Sequence, residues 1–162
     1  MTQDQKKKVR NTLITAALFV LLLAPPHAGF MIIFFGLPLA IWIPVTLTKA
    51  FSRPESKAIQ FTRVAIWVVA VCLVGVIHYA RHVIVRNDAN QIVAGIKAYR
   101  TKNGHYPETL SEIGISNEEL KNRLGLSYYN SEKPNLSYAA TFIVFDTYDF
   151  DFMKDAWEFR PD

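Results

Sequence analysis

From Phe61 to Ala80 the chain carries one charged residue, Arg63, and this apolar run does not end in a turn. It passes through Arg81, His82 and Arg86 into Val85, Ala89, Ile92, Ile96 and Tyr99, whose spacings of 4, 3, 4 and 3 trace one stripe of an α-helix. Val93 widens the stripe, while Arg86, Asp88, Gln91, Lys97 and Arg100 are expected on the solvated side. A run of ~20 apolar residues is long enough to cross the hydrocarbon core of a bilayer. One helix from Pro54 to about Lys102 is therefore expected. Its first part is apolar all round and its second part amphipathic, so the stripe demands a partner that covers it. Ser52-Arg-Pro-Glu55 supplies a start, with Ser52 as cap, Pro54 early in the first turn and Glu55 reaching back to the cap amide.

Upstream, residues 13–48 contain no Lys, Arg, Asp or Glu, and Pro25-Pro26-His27-Ala28-Gly29 interrupts them. Two further membrane helices follow, roughly Asn11–Ala24 and Gly29–Thr48, with a re-entrant hairpin as the rival reading because the first is short. Pro38 and Pro44 imply kinks in the second. A cleaved signal sequence is disfavoured, because the apolar sequence runs on without a small-x-small site opening a polar chain. Lys6, Lys7, Lys8 and Arg10 precede the first span, and Lys49, Arg53, Lys57 and Arg63 flank the entry to the third. Arg81, His82 and Arg86 lie beyond it. The larger clusters make residues 1–10 and the loop 49–60 cytoplasmic, and residues 81–162 periplasmic, at a bacterial inner membrane.

Charge divides the same way: residues 1–80 hold eight Lys and Arg against two acids, and residues 81–162 hold ten against twelve. The basic excess belongs to the membrane flanks, and no basic patch interleaved with aromatics marks a nucleic-acid surface. Cys72, the only cysteine, has no intramolecular disulfide partner and reads as a small buried hydrophobe.

Beyond the long helix, Asn103-Gly104 is a favourable C-terminus, and His105-Tyr106-Pro107 must be largely extended. Thr109-Leu-Ser-Glu112 and Ser116-Asn-Glu-Glu119 are capping-box patterns that open two short helices, ending near Ile113 and Leu124. Then the period changes. Leu126–Tyr129, Leu136–Phe145, Tyr148–Phe152 and Ala156–Arg160 are rich in aromatic and β-branched residues. Tyr148, Phe150 and Phe152 alternate with Asp149 and Asp151, while Leu136, Tyr138, Ala140, Phe142 and Val144 share one face. The expected fold is three membrane helices plus an α+β domain, in which a long helix packs on a three- or four-stranded antiparallel sheet.

Ile92-Val-Ala-Gly-Ile-Lys-Ala-Tyr99, with Lys102-Asn-Gly-His-Tyr-Pro-Glu-Thr-Leu110 and Glu112-Ile113, resembles the type IV pilins and the type II secretion pseudopilins. The likeness covers residues 89–113 closely and the remainder in layout. It implies a pilin-like domain in which a helix leaving the membrane packs on a small sheet. In that family the helix is the cleaved N-terminus and bears a glutamate. Here it is internal, with no acid between Phe61 and Ala80, so the resemblance implies a pilin-like outer domain on an anchor rather than a pilin.

Few residues suggest chemistry. His78 and His82 stand four apart on one helical face, a metal-compatible spacing that lacks a third ligand. Asp146, Asp149, Asp151 and Asp155 offer oxygen ligands without the glycine and terminal glutamate of an EF-hand. Calcium binding by some pseudopilins is the family's contribution to that reading. No nucleophile–base set, paired carboxylates or phosphate loop stands out, so neither catalysis nor a cofactor is expected. The aromatics of the outer half, Tyr128, Tyr129 and Phe159 among them, exceed what a tiny core needs. Tyr148, Asp149, Phe150, Asp151 and Trp157 are accordingly expected to form a protein-binding surface. The expectation is a non-enzymatic inner-membrane protein whose partners are the bilayer and another periplasmic protein. It would act as an immunity protein against a periplasmic or membrane-active toxin, or as a subunit of a secretion or envelope complex.

Overall fold

The computed structural model describes residues 2–52, 57–116, 126–129, 134–143 and 145–161. The chain forms two compact units, Met1–Tyr79 and Ala80–Asp162.

The first unit contains α1 (Gln3–Leu23), a 3-10 turn (Ala28–Met31), α2 (Ile32–Ser52) and the beginning of α3 (Lys57–Asn103). α1 starts earlier than the apolar pattern predicts, because Thr2 and Gln5 form a reciprocal capping box. Asp4 then pairs with Lys8 at 2.7 Å, one turn on. His27 turns the chain at φ 65° between α1 and α2. Pro38 and Pro44 both lie inside α2. Ser52, expected to cap α3, belongs to α2 instead, and its hydroxyl donates to Thr48 O at 2.9 Å. The remainder of the expected cap, 53–56, lies outside the described residues. Ala16, Phe19 and Leu23 of α1 interlock with Trp67, Ala70 and Val74 of α3, and Phe35 and Leu39 of α2 close over them. Cys72 points away from that seam and is exposed, not buried as expected.

Most of the large apolar side chains of this unit remain uncovered. Leu21 is 68% exposed, Phe34 69%, Ile41 70% and Val69 65%. An apolar surface of this extent marks a face that meets another protein or a lipid phase. Among the described residues two helices, α2 and α3, are long and apolar enough to cross a membrane, with mean hydropathies of 1.7 and 2.1 over 18-residue stretches. That corrects the expected three spans. The first turns of α1 read Gln3-Asp-Gln-Lys-Lys-Lys-Val-Arg. Its apolar part, Asn11–Leu23, is roughly 20 Å long against a core of ~30 Å.

In the second unit α3 continues to Asn103, as expected, and Gly104 at φ 81° closes it by donating to Arg100 O at 2.8 Å. The described part of the Leu110–Ile113 helix is a single 3-10 turn. The second short helix, expected to end near Leu124, lies outside the described residues. Among the described residues four strands follow: β1 (Leu126–Tyr129), β2 (Asn135–Ala139), β3 (Thr147–Asp151) and β4 (Ala156–Arg160). They make one antiparallel sheet in the order β1-β2-β3-β4. β2 stops short of the expected Phe145, because Ala140 N–H turns back to Asp146 O at 2.7 Å. The stripe Ala89, Ile92, Val93 and Ile96 packs against Leu126, Leu136, Tyr138 and Phe150 on one face of the sheet. Tyr99, expected in that stripe, is half-buried and hydrogen-bonds Glu112 instead.

Glu112 ties the turn to the helix. Its carboxylate accepts from Tyr99 Oη and from the backbone N–H groups of Glu108 and Thr109, the latter two at 2.8 and 3.1 Å. The Tyr99 hydroxyl, followed by the Thr109 N–H, holds the Glu112 carboxyl below its ordinary value of 4.5. A depressed folded value means that the contribution is complete above the ordinary carboxylate range and disappears as pH falls through the folded value. Glu112→Gln is therefore expected to flatten the loss of outer-unit melting temperature between pH 5 and pH 3 (roughly the carboxylate range), measured on the full chain in detergent. An unchanged acid limb contradicts this assignment.

Candidate functional site

The register of the sheet sorts its side chains into two faces. Pairing of Leu136 with Phe150, Phe150 with Trp157, and Tyr148 with both Tyr138 and Phe159 puts these residues on the helix side. Asp149 opposite Glu158, and Asp151 opposite Ala156, fall on the outer side together with Ser137 and Arg160. The five residues expected to share a protein-binding surface are thus divided. Tyr148, Phe150 and Trp157 turn inward, and Asp149 and Asp151 turn outward.

The outer face is a charged relief rather than an aromatic one. Arg160 Nε donates to Asp149 Oδ2 at 3.0 Å, and Asp149 is only 7% exposed. Lys154 Nζ lies 2.5 Å from Glu158 Oε1 and 3.7 Å from Asp151 Oδ2. Asp151 Oδ1 also accepts from Met153 N–H and Lys154 N–H at 2.8 and 3.1 Å, which holds the Asp151 carboxyl below the usual range. Glu158 raises the Lys154 ammonium above its usual value. A groove of about 480 Å³ runs between Asn135, Asp149, Asp151, Lys154 and Arg160.

The acidic run does not converge. Asp149 is committed to Arg160, Asp151 to the β3–β4 turn, and Asp155 to Lys97 of α3, while Asp146 gives its backbone carbonyl to Ala140. Among the described residues no group of three or more His, Cys, Asp or Glu is placed to hold a metal. His78 and His82 serve different partners. His78 is buried with Nε2 at 2.8 Å from Leu23 O, and the His82 ring stands 5.0 Å from that of Tyr148.

On the inner face, the sequence reading missed an aromatic box. Arg86, expected in solvent, has its guanidinium 4.5 Å from the Trp157 ring, 5.2 Å from Tyr148 and 5.9 Å from Tyr138. Its Nη1 is buried without a hydrogen-bond partner among the described residues, so the rings supply the local attraction. Tyr138 and Tyr148 stack at 5.3 Å with planes 21° apart, and Trp157 meets Tyr138 edge-on at 5.2 Å. Trp157 Nε1 donates to Asn90 Oδ1 at 2.8 Å, fastening β4 to α3. Burial, and then the Arg86 charge, lower the His82 imidazole below its ordinary value. Burial pushes the Tyr138 phenol up to about 12. The available signal was the spacing: His82, Arg86 and Asn90 stand four residues apart, and Arg86 stands three before Ala89 of the stripe, which puts them on neighbouring lines of one side of α3.

Comparison of the chain with protein-family models, with curated proteins and with solved structures returns no match.

Proposed function

We propose that this chain is a non-enzymatic, membrane-anchored protein of the bacterial inner membrane whose outer α+β unit binds another protein in the periplasm. The observation that carries this reading is the division of surface chemistry. Bare aliphatic side chains cover the first unit, and an uncovered, ion-paired sheet face fronts the second. α2 and α3 are the two membrane helices in this reading, and α1 packs on α3 along the Phe19–Trp67 seam, where the rings meet edge-on at 5.4 Å. Lys8, Lys49 and Arg63, from three different helices, gather around one end of the bundle, which supports a cytoplasmic position for that end. The resemblance of residues 89–113 to pilins and pseudopilins supports an outer unit suited to contact with other proteins. Neutralising a toxin and joining a secretion or envelope complex are two forms that such contact takes.

The test uses the full chain in cells. Alkaline phosphatase fused after Asp162 is expected to be active, and a photo-crosslinking residue at Ser137 or Thr147 is expected to give a discrete adduct with one other protein. The same residue at Ala94 is expected to give none. An inactive fusion at good expression removes the orientation. Adducts that are absent, or equal at all three positions, remove the binding role of the sheet face.

A further inference from the structure

Two adjoining cavities, of about 500 and 920 Å³, open at the basic end of the first unit and share Lys8, Trp42 and Arg63. The smaller has an apolar floor of Phe35, Leu39 and Trp67. The larger is rimmed by Lys49 and by the hydroxyls of Thr46, Thr48 and Ser52. No Asp or Glu lines either cavity among the described residues.

Arg63 joins the two cavities. Its Nε donates to Thr12 Oγ1 at 3.0 Å and its Nη1 to Gln60 Oε1 at 3.1 Å. The guanidinium also lies 4.9 Å from the Trp42 ring. These contacts hold a fork-shaped cation in place at the boundary between apolar floor and hydroxyl rim. A cation fixed beforehand loses little freedom when an anion arrives. Trp42 and Trp67 carry the amphipathic rings suited to headgroup depth.

We propose that this pair of cavities is a binding site for an anionic phospholipid. The phosphate would sit between Arg63 and Lys8, displacing the exposed Asp4 carboxylate that otherwise pairs with Lys8 at 2.7 Å, with Lys49 at the rim, and an acyl chain would lie on the floor made by Phe35, Leu39 and Trp67. Charge complementarity selects this occupant. A zwitterionic lipid brings its own cation to an already basic rim, and a free phosphate leaves the apolar floor empty. Basic recesses between membrane helices recognise anionic headgroups on these grounds. The site rests on the membrane reading of the first unit.

The full chain is reconstituted in phosphatidylcholine nanodiscs containing a small fraction of brominated phosphatidylglycerol or, separately, brominated phosphatidylcholine. Tryptophan quenching reads occupancy beside Trp42 and Trp67, and recovery of the chain with the discs reads insertion. Phosphatidylglycerol is expected to quench at lower mole fraction. Arg63→Gln is expected to weaken that preference about fivefold, the effect of one cation at a membrane surface, with phosphatidylcholine quenching unchanged. Inorganic phosphate at millimolar concentration is expected not to compete. If Arg63→Gln does not fold, Lys8→Gln carries the same test with the same expectation. A chain that inserts but quenches equally with both lipids overturns the site and spares the membrane reading. A preference left intact in the variant, or one abolished by free phosphate, also overturns the site, whereas failure to insert overturns both.

Discussion

Ile96→Asp is expected to unfold the second unit and to leave the packing of the first unit intact. Ile96 is fully buried, at the centre of the stripe that α3 lays on Leu136, Tyr138 and Phe150. The substitution removes a branched aliphatic side chain and puts a carboxylate among the apolar side chains of Ala89, Ile92, Val93, Leu136 and Phe150. The loss of packing alone costs about 2–5 kcal/mol, and an unpaired buried charge adds several more. A small unit with total stability of about 5 kcal/mol does not survive that sum. Proteolysis of residues 81–162 in detergent is expected to become immediate, while the fraction recovered with membranes stays at its original level. Ile96→Val, which removes one methylene, is expected to cost about 1 kcal/mol. Protease resistance in the aspartate variant would show that the helix stripe does not carry the sheet.

The second large effect belongs to Trp157→Ala. This side chain meets Tyr138 and Phe150 edge-on, each at 5.2 Å, lies beneath Arg86 and bonds Asn90. Its removal is expected to cost about 3–5 kcal/mol, by the measure of large aromatic truncations. Trp157→Phe keeps a ring below the guanidinium and loses the hydrogen bond, for a cost of about 1–2 kcal/mol. Urea unfolding of the full chain in detergent, followed by near-ultraviolet dichroism, separates the two variants. Equal losses in both would mean that the Asn90 bond, not the ring, fastens β4.

The elements most legible in the sequence are those with a strict period or a strong stop signal. Ala89, Ile92, Val93 and Ile96 are buried because a 3.6-residue helix leaves them no other side, and Gly104 ends α3 because it takes a positive φ without strain. β4 has the bounds that its composition announces. The errors share one physical origin, which is that pattern records polarity and not company. Arg86 looks like any solvated arginine until three rings from distant strands close over it. Asp149 looks like a polar strand residue until Arg160 arrives across the hairpin to shield it. Tyr148, Phe150 and Trp157 lie near the aspartates in sequence, but adjacent residues of a strand point to opposite faces. In sequence Arg63 is a topological marker and no more. Its contact with Thr12 links two helices far apart in the chain, and no local spacing encodes it.

The order of the sheet has a kinetic consequence. Strand order β1-β2-β3-β4 repeats chain order, and each strand pairs antiparallel with its predecessor. No strand must wait for one made much later, and each connection closes a short loop at small entropic cost. The template helix precedes every strand in the chain, so sheet growth can follow the emerging chain from β1 outward. Edge exposure then passes from one newborn hairpin to the next, and the interval in which an unpaired strand could capture a neighbouring chain stays short.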